Sequence, residues 1–186
     1  MKKLAENTAL LIIDAQVGLD DPRLGARNNP CVERNMARLL AQWRARSRPI
    51  FHIQHMSTEP NSPLRPELLG NAIKSEVAPI GDEPVIQKRV NSAFIGTDLR
   101  ERLRAADITS LVIVGLTTDH CVSSTARMAA DLGFRATVVA DATAAHERRS
   151  YDGALHAAET VHELALANLH QEFAAILTAD QVLSLD

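Results

Sequence analysis

The sequence predicts an α/β fold, a doubly wound sheet of six parallel strands with helices on both faces. Three observations carry that expectation. Short apolar runs rich in β-branched residues, such as TALLII at 8–13 and LVIV at 111–114, read as strands buried on both sides. Stretches with apolar residues three and four apart alternate with these runs, which is the order of β-α-β units. Polar side chains then stand where the runs end, at the carboxyl edge where open parallel sheets bind ligands.

The first run ends at Asp14, a carboxylate that either caps the start of a loop or belongs to a site. The loop at 17–30 holds Gly18, Pro22, Gly25 and two asparagines, so it is irregular and placed to cover the sheet edge. A helix is expected over 31–46, where Val32, Met36, Leu39, Leu40 and Trp43 share a face and Arg34, Arg38 and Arg44 point outward. Ser47-Arg48-Pro49 breaks it, and IFHIQH at 50–55 forms the second strand. His52 and His55 are three apart on that strand and face opposite ways, so they do not form a metal pair. The proline-rich stretch 56–84 is too long for a plain connection and is expected to be functional or to hold short elements. A short strand, 85–87, then delivers Lys88, and Thr97 reads as the N-cap of a helix over 98–106. Alone, Lys88 also reads as an ordinary surface lysine.

The stretch 111–133, LVIVGLTTDHCVSSTARMAADLG, organises the rest. A buried strand passes through a turn at 115–120 into a helix that begins near Cys121 and ends at Gly133. Cys121 therefore stands where free backbone N–H groups and the positive end of a helix dipole converge, both of which lower a thiol pKa. A buried, inert thiol is the other reading, since free cysteine commonly just packs. Cys31 also starts a helix, but no strand end presents it. Further on, a strand is expected at 136–140. A long helix follows over 151–169, with Leu155, Ala158, Val161 and Leu164 inward. The last strand lies at 174–177, and Thr178 caps a closing helix at 179–183. His156, His162 and His170 lack zinc-pair spacing.

Composition excludes several function classes. The chain has 186 residues with net charge −3, so it carries no basic footprint for nucleic acid or an anionic membrane. Aromatics make up 3%, which leaves few platforms for stacking bases. The apolar run near the start is stopped by Asp14, too short for a signal peptide or a membrane span. Two cysteines without a CxxC place the expected location in the cytoplasm. No GxGxxG, GxxxxGK[ST] or HExxH motif and no internal repeat occurs, so no nucleotide cofactor is expected.

Asp14, Lys88 and Cys121 sit at three strand ends that could share one crevice. A carboxylate can take a thiol proton. An ammonium stabilises thiolate and oxyanion charge, and N–H groups at a helix start form an oxyanion hole. The segments LLIIDAQ, PIFHIQH, the run from Lys88 to Leu99 (K-x-x-x-S-A-F-x-G-T-x-L) and VGLTTDHCVSSTARMAADLGF resemble the isochorismatase-like cysteine hydrolases over most of the chain. The resemblance implies one domain over 1–186, with a six-stranded parallel sheet and a tendency to form homo-oligomers. It implies Asp14 as base, Cys121 as nucleophile and Lys88 as charge partner. It also implies a cis peptide at Leu116-Thr117 and an oxyanion hole from the N–H groups of Thr117 and Cys121.

The same resemblance separates subgroups. Nicotinamidases carry a metal-binding D-x-H-P after the second strand. Here that region reads His52-Ile53-Gln54-His55-Met56-Ser57, so no metal is expected. Vinyl-ether-cleaving isochorismatases lack the cysteine that this chain has. The expected activity is hydrolysis of a C–N bond in a small amide, urea-like or lactam substrate through a Cys121 thioester. The alternatives are vinyl-ether hydrolysis and a non-catalytic oligomeric binding module. Gln54 is expected to orient the substrate, or else to be a solvated loop residue. Phe94 is expected to line the pocket or to pack in the core. His120 is expected to point away from the thiol.

Overall fold

The computed structural model describes residues 3–185. Strand β1 (Ala9–Ile13) leads through the loop after Asp14 to helix α1 (Val32–Ala45), β2 (Ile50–His55) and β3 (Val85–Lys88). Helix α2 (Leu99–Ala105), β4 (Ser110–Leu116), α3 (Ser123–Asp131) and β5 (Arg135–Ala144) follow. A two-stranded hairpin, β6 (Arg148–Arg149) and β7 (Leu155–His156), precedes α4 (Ala158–Leu169), β8 (Ala174–Leu177) and α5 (Ala179–Ser184). The main sheet has six strands in the order β3-β2-β1-β4-β5-β8, all parallel. The chain winds outward from β1 in one direction and from β4 in the other. The topological switch point therefore lies between β1 and β4, where such folds open a ligand crevice.

Two cores flank the sheet because side chains alternate along each strand. Ala9, Leu11 and Ile13 of β1 and Leu111 and Ile113 of β4 pack with Leu99, Leu103, Val122, Ala126 and Leu169 of the helical side. Leu10, Ile12, Val112 and Val114 pack on the other face with Met36, Leu39, Leu40 and Trp43 of α1 and with Val182 of α5. Each fully buried side chain of this size contributes about 1.5–3 kcal/mol of transfer free energy. The Trp43 indole N–H donates to Thr8 O at 2.9 Å, so its one polar group is satisfied within the core.

The local readings need four corrections. The helix expected over 151–169 begins only at Ala158, because Gly153 at φ 88° and the N–H of Ser150 bonded to Ala154 O close a hairpin turn first. Leu155 and Leu164, expected inside, are 52% and 59% exposed, and His162 takes an inward place. Strand β5 runs on to Ala144 past the expected end at 140, since a register shift lets Thr143 and Ala144 pair with Gly115 and Leu116. Asp98, not Thr97, occupies the N-cap position of α2, but the Thr97 hydroxyl still accepts from Leu99 N–H at 3.4 Å while donating to Ala93 O at 2.6 Å. The expected cap at Thr178 is present as a full capping box with Gln181.

The two loops over the carboxyl edge meet at a pair of glycines. A Cβ on Gly70 would stand 2.4 Å from Pro63 O and 3.0 Å from the Cα of Gly18. A Cβ on Gly18 would stand 2.9 Å from that same carbonyl oxygen. The loops at 17–30 and 56–84 touch backbone to backbone there, and only glycine allows the approach.

Candidate active site

The switch point collects the expected groups. Asp14 follows β1 with φ 45°, a left-handed conformation that Asp tolerates better than most residues. Its N–H donates to Ile53 O at 2.9 Å and its carbonyl accepts from Gln16 N–H at 2.8 Å, which fixes the turn. Strand β4 reaches Leu116 and is followed by a cis peptide at Leu116-Thr117. A single π-helical turn, Thr118–Val122, then carries Cys121 into α3. The N–H groups of His120 and Val122 both donate to Thr117 O, at 3.2 Å each. The thiol thus sits in a π turn, not in the regular first turn that the sequence suggests.

Lys88 reaches this point from the edge strand β3 with its side chain fully buried. Its Nζ lies 2.6 Å from Asp14 Oδ2, 3.0 Å from His55 Nδ1, 3.1 Å from Val90 O and 3.2 Å from Cys121 Sγ, four acceptors for its three hydrogens. Asp14, His55 and Cys121 offer ligand atoms within 4.8 Å of one another, and the ammonium lies among them. Asp14 Oδ1 is buried without a hydrogen-bond partner among the described residues. The Cys121 thiol has Asn91 Oδ1 at 3.6 Å.

Burial pushes the Cys121 thiol up, and the nearby Asp14 charge adds to it. The Lys88 ammonium offsets only part of that rise. This runs opposite to the lowered value expected from a helix start, because burial disfavours the charged form. Burial likewise raises the Asp14 carboxyl, against the charge of Lys88. Burial, and then the Lys88 charge, holds the His55 ring down to about 4, so it is neutral near pH 7. Lys88 thus pairs with Asp14 at 2.6 Å beside the thiol, and burial makes that carboxyl a better proton acceptor than a free one.

A cavity of about 220 Å³ opens above these groups. Asp14, His55, Asn91, Thr117 and Cys121 line its inner part, and Leu19, Leu24 and Leu64 from the two glycine-joined loops form an apolar wall. His120, His146 and Arg148 also line it. Arg148 Nε donates to Asp119 Oδ2 at 2.8 Å. Burial would raise the Asp119 carboxyl, but the charges of His120 and Arg148 together with hydrogen bonds from Arg148 and Thr117 hold it low.

Asp14, Lys88 and Cys121 come together, and Leu116 and Thr117 lie beside them. Gln54 does not join them. Its side chain donates to Asn71 O and Oδ1, both at 3.0 Å, and accepts from Gln87. Strand alternation turns Gln54 away and His55 toward Lys88. Phe94 is buried and stacks on Phe134 with centroids 5.8 Å apart, outside the cavity lining. His120, expected to point away, lines the same cavity as the thiol. The sequence reading missed His55, Gln16 and Asn91. The usable signal was the paired register of two polar strand ends, His55 and Lys88.

A parallel sheet with an acid, an ammonium and a thiol gathered at its switch point defines an α/β enzyme of the isochorismatase class. Residues 8–181 match the Isochorismatase domain family, and the chain belongs to that family of hydrolases. It is 45% identical over 181 residues to YrdC, an uncharacterized isochorismatase family protein of Bacillus subtilis, covering 97% of each chain. The crystal structure of an isochorismatase-family protein from Chromobacterium violaceum superposes with a TM-score of 0.96 at 40% identity, covering 100% of this chain and 96% of that one. Ureidoacrylate amidohydrolase RutB of Stutzerimonas stutzeri is 36% identical over 88 residues, 42% of this chain and 36% of that protein.

Proposed function

We propose that this protein hydrolyses a C–N bond of a small amide, urea-like or lactam substrate through a thioester on Cys121. The observation that carries the reading is the position of Lys88 Nζ, 2.6 Å from Asp14 Oδ2 and 3.2 Å from Cys121 Sγ beneath a cavity of about 220 Å³. That volume suits a substrate below drug size. A relative that carries an amidohydrolase name supports the same bond class.

In this mechanism Asp14 takes the thiol proton as sulfur attacks the carbonyl carbon. The carbonyl π pair moves to oxygen, where the N–H groups of Thr117 and Cys121 and the Lys88 ammonium stabilise it. Collapse breaks the C–N bond, and the leaving nitrogen takes the proton from Asp14. Water then gives a proton to Asp14 and attacks the thioester carbon. The C–S bond breaks, and the proton returns to sulfur as the acid departs. A single domain over 1–186 working as a cytoplasmic homo-oligomer without a metal or other cofactor belongs to this proposal. Among the described residues no helix is long and apolar enough to cross a membrane.

The test is a screen of small amides for release of ammonia or amine, with the acyl adduct sought on Cys121 by mass spectrometry after acid quench. Wild type should turn over at least one amide and carry the adduct, and Cys121→Ala should do neither. A Cys121→Ala variant that retains full turnover would sink the thioester route and leave vinyl-ether hydrolysis, with Asp14 as proton donor, as the better reading.

A further inference from the structure

We propose that His55 is a positioning residue for this reaction, its ring Nδ1 holding the Lys88 ammonium against Asp14 and Cys121. The inference rests on the reading that those three residues carry the chemistry.

Lys88 ends β3, the edge strand, whereas Asp14 follows β1, two strands away. Neighbouring strands lie about 4.8 Å apart, so the lysine side chain must cross the end of β2. The residue it crosses is His55, its register partner. The contact between Nζ and Nδ1 is 3.0 Å. An ammonium has only donors, so Nδ1 must accept and the ring hydrogen lies on Nε2. Nζ has four acceptors around it but only three hydrogens. Two of the four, Asp14 and Cys121, change charge during turnover. The other two, His55 Nδ1 and Val90 O, do not, so they keep the nitrogen in place while its bonds to the reacting groups strengthen and weaken.

His55 is itself held. Its backbone N–H donates to Gln16 Oε1 at 2.8 Å, and its carbonyl accepts from Gln16 Nε2 at 3.1 Å and Asn71 Nδ2 at 2.9 Å. Gln16 is fully buried and lies two residues beyond Asp14. One amide side chain thereby fixes the end of β1 to the end of β2. The ring's neutrality serves the same purpose, since an imidazolium would set a second cation 3.0 Å from the ammonium.

The test compares His55→Leu with His55→Asn, each in wild type and in Lys88→Met. Asn is the conservative variant because its Oδ1 falls near the place of Nδ1, and Leu offers no acceptor. Two readouts are followed: alkylation of Cys121 by iodoacetamide, located by mass spectrometry, and turnover of an amide found in the screen. Loss of a group that orients a reacting partner costs about 10- to 100-fold. His55→Leu should lower both the alkylation rate and kcat by that factor, with KM changed less than about twofold. His55→Asn should recover most of the loss. In the Lys88→Met background His55→Leu should have no further effect, because its route of action is gone.

Equal losses in His55→Leu and His55→Asn, or losses that add fully to those of Lys88→Met, overturn the proposal. If His55→Leu does not fold, His55→Gln replaces it. Its amide reaches the Nε2 position instead, so it should behave as Leu does, and wild-type rates in it also overturn the proposal. A wild-type protein that hydrolyses none of the amides screened refutes the underlying function instead.

Discussion

Lys88 Nζ lies 2.6 Å from Asp14 Oδ2, and the two side chains are 0% and 1% exposed. A buried ion pair stands because each charge answers the other, so removing one partner leaves an uncompensated charge. Lys88→Met should lower stability by about 3–5 kcal/mol. Adding Asp14→Asn to it should restore part of that loss. Urea denaturation of the two single variants and the double variant measures the coupling. Strictly additive losses would mean that the two charges do not stabilise each other in the folded protein.

Gly115 adopts φ 120°, and a Cβ there would stand 2.0 Å from Ile13 O, in the backbone that leads into Asp14. Gly115→Ala should therefore cost more than about 3 kcal/mol, through steric clash added to backbone strain. Gly133 at φ 89° has nothing within 4 Å of such a Cβ. Gly133→Ala should cost only about 1–2 kcal/mol, from the left-handed conformation alone. Thermal unfolding of both variants separates clash from strain.

Glu83 and His55 are among the groups that shape the acid limb of stability. Hydrogen bonds from Arg44, partly offset by burial and aided by a bond from His52, hold the Glu83 carboxyl down to about 2. Its unfolded value is 4.5, so its contribution is complete above that pH and is lost as pH falls from 4.5 toward 2. His55 acts earlier. The unfolded chain takes up its proton near 6.5, but the folded ring resists it until about 4, so protonation favours unfolding across that interval. Urea midpoints should begin to fall below about pH 6.5 and fall again below about 4.5. Glu83→Gln should flatten part of the second decline.

The wall of Leu19, Leu24 and Leu64 gives the cavity its apolar side. Leu24→Ala should raise KM by about 10-fold or more for a substrate that fills it, with kcat nearly held. A fall in kcat at constant KM would show that the loop orients the reacting bond as well as the rest of the substrate.

The sheet and its site were legible in the sequence wherever one pattern decided the outcome. Runs such as LVIV allow little but a buried strand, and a buried strand must deliver its next polar residue to the carboxyl edge. That logic puts Asp14 and Lys88 at strand ends, where the structure has them, while Cys121 lies beyond β4 in the π turn. It failed where two patterns competed. The apolar spacing at 155–164 suits a helix, but Asp152 and Gly153 close a turn first. Gln54 and His55 are neighbours at one strand end, and which of them faces the crevice depends on pairing with β3. The thiol's pKa direction was illegible for a different reason. The helix start is a local feature, whereas burial depends on loops that join the site from far along the chain.

The backbone contact between Gly18 and Gly70 ties the covering loops into one part. Change in substrate range is thereby constrained to pass through both loops together. Swapping only one of them from a relative would separate Leu19 and Leu24 from Leu64, so the unit of inheritance for specificity in this fold is the matched pair.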